Sequence, residues 1–159
     1  GFILIAGTKK INEKKKKTIN VNDKKAHYTV DKPWGHELWI NHGQTNYSFK
    51  EVYIKENYQT SLQYHEFKKE TAILYDGKCE IIFKNDQNIH NDDVTAENLA
   101  KVIIEPINII DVKTLVLHRI KAISNMYHYE VSTPFLDDVI RVNDDSNRKN
   151  GRIQKEHNT

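Results

Sequence analysis

The stretch Thr60–Gly77, TSLQYHEFKKETAILYDG, carries a glutamine, a histidine and a glutamate at spacings that let their side chains meet. Side chains alternate faces along a strand, so Gln63 and His65 point one way and Leu62 and Tyr64 the other. A turn through EFKK follows, and Glu70 opens a strand expected to return antiparallel beside the first as a hairpin. The amide oxygen of Gln63, an imidazole nitrogen of His65 and the carboxylate of Glu70 then form one wall of a divalent-metal site. A fourth donor must come from elsewhere, and His118 in TLVLHRI lies in another short strand-like run. His27, His36, His42, His90, His128 and His157 have no ligand-like spacing and are set aside. Residue types alone leave a second reading open, in which Gln63 and His65 are polar residues on a wet strand face.

The elements that would position these residues are short. Residues 36–40, 47–54, 60–65, 71–76 and 79–84 are rich in aromatic and β-branched side chains and are separated by polar breaks. Residues 101–112, 114–120 and 126–131 follow the same pattern, with Pro106 dividing the first of them. Asp76-Gly77 supplies the signal of a tight hairpin turn within YDGKCE. Residues 85–100 are polar and read as a long hairpin insertion, and the tail from Asn143 reads as surface chain. Many short strands with turns between them predict an all-β sandwich or barrel.

The 159 residues suit one domain: a Lys-rich arm or edge strand over 1–30, a barrel over 31–145 and a polar tail over 146–159. A net charge of +2 sets up no global field for nucleic acid. Eight lysines do crowd between Lys9 and Lys25, without the interleaved aromatics of a base-stacking surface. The single cysteine, Cys79, has no partner for an intrachain disulfide and fits a reducing compartment. The apolar run Phe2–Ala6 is too short for a signal core or a membrane span, so a soluble, cytoplasmic protein is expected. The same FILIA run is suited to adding a strand to a partner's sheet, which predicts a homodimer.

Gln63, His65, Glu70 and Gly77 follow the order of the first cupin motif, G-x5-H-x-H-x3,4-E-x6-G, with glutamine at the first histidine position. The chain therefore resembles the cupin superfamily, whose fold is a double-stranded β-helix, or jelly-roll barrel. Within it, KPWGHE (32–37), Lys50, SLQYH (61–65), Glu70, Gly77, His118-Arg119 and EVSTPFLDDVIR (130–141) resemble the mannose-6-phosphate isomerase type II group. Where that group often has an arginine after the motif histidines, this chain has Lys68. No P-x-G precedes His118.

The resemblance implies aldose–ketose isomerisation of a sugar phosphate. Gln63, His65, Glu70 and His118 would hold the metal, which polarises a substrate oxygen. That donor set admits zinc, manganese, iron, cobalt or nickel. Glu70 or Lys50 would serve as the base, Lys50 only if it points inward rather than to the surface. Arg141 and Lys68 would anchor the phosphate or sugar, unless Arg141 is instead paired with Asp137 or Asp138. Trp34 and Trp39 either line the mouth or belong to the core. The alternative is a non-catalytic cupin that binds a sugar or nucleotide sugar in the same barrel.

Overall fold

The computed structural model describes residues 28–43, 46–84, 99–149 and 151–152. These form twelve strands: β1 (Tyr28–Lys32), β2 (Gly35–Trp39), β3 (Ser48–Ile54), β4 (Leu62–Tyr64), β5 (Glu70–Asp76), β6 (Cys79–Phe83), β7 (Ala100–Ile104), β8 (Ile109–Val112), β9 (His118–Ala122), β10 (Met126–Ser132), β11 (Ile140–Asn143) and β12 (Gly151–Arg152). Among the described residues no helix is long and apolar enough to cross a membrane. Residues 1–27, with the lysine cluster and FILIA, and residues 85–98 lie outside the described residues.

The strands make two six-stranded sheets, β1-β2-β3-β10-β5-β8 and β12-β11-β4-β9-β6-β7. Every pairing is antiparallel. From β3 onward the chain repeatedly passes from one sheet to the other, which is the jelly-roll path expected from the motif order. Several of these crossings turn on a residue of positive φ: Asn57 before β4, Gly77 before β6, Ile107 before β8 and Leu115 before β9. From β3 onward two consecutive pairs do stay in one sheet, β6 with β7, where Phe83 is opposite Ala100, and β11 with β12.

The crossings correct two expected hairpins. β4 and β5 belong to different sheets, so Glu70 faces Gln63 and His65 across the interior and not along a shared ladder. β5 and β6 are likewise in different sheets, and Asp76-Gly77 makes a corner. The TLVLHRI segment is a turn at Thr114-Leu115, and its strand begins only at His118. Pro106 does divide its segment, sending β7 to one sheet and β8 to the other. β1, β11 and β12 are strands that the sequence pattern does not predict: β1 and β11 carry β-branched residues but are only five and four residues long and end in polar residues, and β12 is two residues.

The interior is layered by register. Inward positions on β3 are Ser48, Lys50, Val52 and Ile54, and β10 sets Ser132, Glu130, His128 and Met126 against them in that order. On β5, Glu70, Ala72 and Leu74 stand beside Ser132, Glu130 and His128. One end of the barrel is therefore apolar, with Ile54, Leu74, Cys79, Ala122 and Met126 wholly buried. Burial at that end supplies stability at roughly 1.5–3 kcal/mol per large side chain. The other end gathers polar groups at inward positions, and it is where the motif residues lie.

Gly77 shows how tight the corners are. Its φ is 87°, and a Cβ built there would sit 2.2 Å from the Asn125 carbonyl oxygen. Gly77→Ala is therefore expected to destabilise the fold by roughly 2–4 kcal/mol, read as a lower midpoint in urea with an unchanged slope.

Candidate metal centre and its cavity

The second sheet lays three polar side chains in one row. Gln63 on β4 stands opposite His118 on β9 and Arg141 on β11. The ladder is irregular just beyond Arg141, and another irregularity on the β5–β10 ladder lies at His128. Such bulges re-aim side chains.

Two imidazoles are held by main-chain carbonyls. His65 Nδ1 lies 2.6 Å from the Asp138 oxygen, and His118 Nδ1 lies 2.8 Å from the Val116 oxygen. A carbonyl can only accept, so Nδ1 carries the hydrogen and Nε2 keeps its lone pair, the tautomer a metal ligand needs. His65 is wholly buried, and its Nε2 has no hydrogen-bond partner. Burial, then the Lys68 charge, lowers the His65 pKa to about 4. The 3.4 Å contact from Nε2 to Glu70 Oε1 is thus not an ion pair at neutral pH.

His65, Glu70 and His118 each offer one donor atom, all within 4.8 Å of one another. Donors around a single cation lie roughly 3–4 Å apart, so a shift of about 1 Å closes the set. Gln63 lines the same cavity, where its amide oxygen accepts a hydrogen bond from Ser61 Oγ at 2.7 Å and keeps a second lone pair. An orphaned buried imidazole nitrogen, two correctly held tautomers and one carboxylate fit a divalent metal.

Asp138 builds the approach to this site. Its carboxylate accepts from the backbone N–H groups of Glu66, Phe67 and Lys68 at 3.2, 2.6 and 2.9 Å, shaping the loop between His65 and Glu70. Burial alone would raise its pKa, but these three donors outweigh it and hold the carboxyl below its usual range. The sequence reading had weighed Asp138 only as an ion-pair partner of Arg141.

The cavity beside the triad encloses about 70 Å³. Lys50, Lys68, Glu70, His118 and Arg141 all line it, so every predicted site residue but the deeper His65 does so. Lys50 is 1% exposed, which settles its direction as inward. Its Nζ is 3.4 Å from Glu37 Oε2 and 4.6 Å from the Trp39 ring centroid. Lys68 Nζ lies 2.5 Å from Glu70 Oε1. Burial opposes both charges of that pair. Glu70 outweighs it to raise Lys68, and Lys68, then His65 and His118, outweigh it to hold Glu70 far below the carboxylate range. Trp34 belongs both to the core and to the lining.

Titratable lining residues that sequence reasoning gave no role include Lys32, Glu37, His128, Glu130 and Arg148. Burial first, then the Glu70 charge, raises Glu130 to about 7, against the pull of Lys68 and Lys50. Burial lowers His128 to about 4. The signal was present in MYHYEVS, where His128, Glu130 and Ser132 share a face by alternation with Met126.

Comparison with known families matches residues 19–144 to the mannose-6-phosphate isomerase C-terminal family. The chain belongs to this family. Among curated proteins no match is found. Solved structures agree on the fold. The capsular polysaccharide assembling protein CapF from Staphylococcus aureus aligns with a TM-score of 0.60 at 13% identity, over 74% of this chain and 32% of that one. KdgF from Halomonas sp. aligns at 0.57 and 14% identity, over 76% and 98%. An RmlC-like cupin from Shewanella frigidimarina aligns at 0.58 and 6% identity, over 76% and 96%. The chain thus spans about a third of CapF. At these identities the likeness establishes an all-β cupin barrel. For this member of the mannose-6-phosphate isomerase C-terminal family, the chemistry rests on its own residues.

Two expectations follow. In titration calorimetry with Zn²⁺ or Mn²⁺, His65→Ala loses most of the affinity and Gln63→Ala loses less, since a neutral amide is the weaker donor. Lys68→Met gains affinity by about tenfold or more, because the cation must cede Glu70 to the metal. Equal binding by wild type and His65→Ala would end the metal assignment.

The second expectation concerns pH. In the metal-free fold Glu130 binds a proton up to about pH 7, whereas in the unfolded chain it releases it near the ordinary glutamate value of 4.5. The folded state holds the extra proton in that window, so this group costs stability as pH rises through it. Glu130→Gln, measured against wild type with chelator present, therefore gains on the order of 1–3 kcal/mol between pH 4.5 and 7.5. A pH-independent difference between the two proteins would contradict the burial of an ionising carboxyl.

Proposed function

We propose that the chain is a metal-dependent sugar-phosphate aldose–ketose isomerase of the mannose-6-phosphate type. The observation that carries the reading is the convergence, in one cavity, of the donor set, buried cations and a carboxyl titrating near neutrality. Lining residues include Lys32, Lys50, Lys68, Arg141 and Arg148 against Glu37, Glu70 and Glu130, although Arg148 is met by Asp144 at 2.9 Å.

Isomerisation moves a proton from the carbon bearing a hydroxyl to the neighbouring carbonyl carbon through an enediol. Glu130, close to neutrality in its pKa, is the base suited to take that proton and return it to the adjacent carbon. This displaces the earlier candidates. Glu70 is a weak base, because Lys68 stabilises its ionised form. Lys50 is engaged by Glu37 and the Trp39 ring and contributes a fixed positive charge near the developing enediolate. Arg141 and Lys68 are the phosphate-binding candidates. A metal held by His65, Glu70, His118 and Gln63 would supply Lewis-acid polarisation of the substrate oxygens.

One observation favours a second reading, a cupin that binds a sugar or nucleotide sugar without turning it over. The enclosed 70 Å³ admits a few waters or the reacting end of a sugar, but not a whole hexose phosphate. The phosphate would then lie at the mouth.

A coupled assay of mannose 6-phosphate to fructose 6-phosphate decides between them. Wild type supplied with Mn²⁺, Zn²⁺ or Co²⁺ is expected to turn over, to stop on chelation and to recover on readdition. Glu130→Gln is expected to lower kcat by roughly 10²–10⁴ with metal affinity kept. Saturable binding of the sugar phosphate with no turnover under any of these metals would establish the binding reading instead.

A further inference from the structure

The two sheets differ on their outer faces. In a sandwich that stands alone, inward positions are apolar and outward positions polar. The second sheet is largely of this kind: outward on β6, Glu80 stands opposite Lys121 of β9, and Arg119 and Lys101 flank Ile82. The first sheet is not. Outward on β3 and β10, Phe49 stands opposite Val131, and Tyr53 opposite Tyr127. Between those rows Tyr129 stands opposite Ile73 of β5, which pairs in turn with Ile109 of β8. Tyr75 meets Tyr129 edge-on, with ring centroids 5.7 Å apart, at the irregularity of the β5–β10 ladder. Tyr75 and Ile109 are each 67% exposed, Val131 46% and Ile73 39%. These residues make one contiguous patch across four adjacent strands, the kind that marks an interaction surface. No lysine or arginine occupies an outward position on these strands. The acids there are engaged within the face. Glu51, 5% exposed, accepts from the Tyr129 hydroxyl at 2.7 Å, and Asp111 accepts from Thr71 Oγ1 at 2.7 Å.

From this we propose that the outer face of β3, β10, β5 and β8 is an interface between two copies of this chain. A full aromatic side chain offers roughly 150–250 Å². At that scale the exposed parts of the patch come to roughly 600–800 Å², near the ~800 Å² that each partner buries in a stable complex. A two-fold dimer needs a patch that complements itself. This one is aliphatic and aromatic, poor in charge and without basic groups, which is the composition of a homodimer core. A nucleic acid would need cations here, and a partner chosen by charge would need acids not already engaged by neighbouring hydroxyls. The same strands carry Lys50, Glu130 and Glu70 on their inward side, so the interface backs one wall of the cavity. The inference is independent of the isomerase reading, and its test reads no activity.

The test is sedimentation of the full chain at concentrations from about 1 to about 100 µM, with circular dichroism to check folding. Wild type is expected at twice the chain mass of 18.7 kDa. Ile73→Glu combined with Tyr75→Glu is expected to raise the dissociation constant by about 100-fold or more, since it sets like charges against each other across the two-fold axis. Ile109→Glu, a single change near the edge of the patch, is expected to raise it by about tenfold. Ile103→Lys, at an outward and 48% exposed position of the other sheet, is expected to leave it within about twofold of wild type. The proposal is overturned if wild type sediments as a monomer at about 100 µM. It is overturned equally if the face variants keep their circular dichroism and stay dimeric. Should the double variant misfold, Ile109→Glu decides alone. A dimer that Leu4→Asp in the FILIA run dissociates, and that the face variants leave intact, also overturns it and places the contact in the N-terminal run instead.

Discussion

The site depends on one residue that offers no group to the reaction. Asp138 uses its main-chain oxygen to fix the ring of His65 and its carboxylate to collect three successive N–H groups of the following loop. Hydrogen bonds to a charged acceptor contribute about 1.5–3 kcal/mol each, and leaving the buried Lys68 donor unmet would cost more. The clasp joins residues some seventy positions apart, the β10–β11 crossing to the β4–β5 crossing. Because β4 and β5 lie in opposite sheets, no ladder sets the spacing of His65 from Glu70. The loop between them does, and Asp138 sets the loop. Lys69, one residue on, is held in turn by Thr133 Oγ1 at 3.0 Å.

Beyond the clasp, the barrel supplies a gradient. The same three strands that bury Ile54, Leu74 and Met126 at one end present Glu70, Lys50 and Glu130 toward the other. The apolar end is the stabilising half. It also excludes water beneath the polar half, where low polarity magnifies each charge. That is why neighbouring carboxyls behave so differently. Glu70, against the Lys68 ammonium, stays ionised, whereas Glu130, half-buried near that same Glu70 charge, keeps its proton to about pH 7. Two carboxyls pushed in opposite directions within one cavity make a functional pattern more than a structural one.

What the sequence disclosed was local. Alternation gave the direction of Gln63 on β4, while His65 lies one residue beyond that strand; Pro106 gave the β7–β8 break, and motif order gave the barrel. Sheet membership was not legible, because a turn such as Asp76-Gly77 has the same residues whether the next strand pairs beside the last or crosses to the opposite sheet. What decides is the close approach of that corner to Asn125 and Met126, almost fifty residues away. His128 was set aside because ligand spacing was the filter, and its inward place on β10 emerges only once β3 and β5 are aligned beside it. Asp138 read only as an ion-pair partner of Arg141, since the backbone groups it holds leave no side-chain signature.

Lys68 draws these strands of argument together. A buried ion pair seldom stabilises a fold more than apolar packing would, because both charges must be desolvated. Lys68 and Glu70 are nonetheless both buried and in contact, at the point where the imidazole nitrogens of His65 and His118 converge with that same carboxylate. Without the ammonium, a metal-free site would lose the charge that does most to hold Glu70 ionised against its burial. With it, the carboxylate remains ionised and ready. A compact, single-headed ammonium on a flexible stem can release one oxygen and turn to an anionic ligand, which a bidentate guanidinium fork would do less easily. The lysine at this position thus presents a point charge to Glu70 in place of a fixed planar fork.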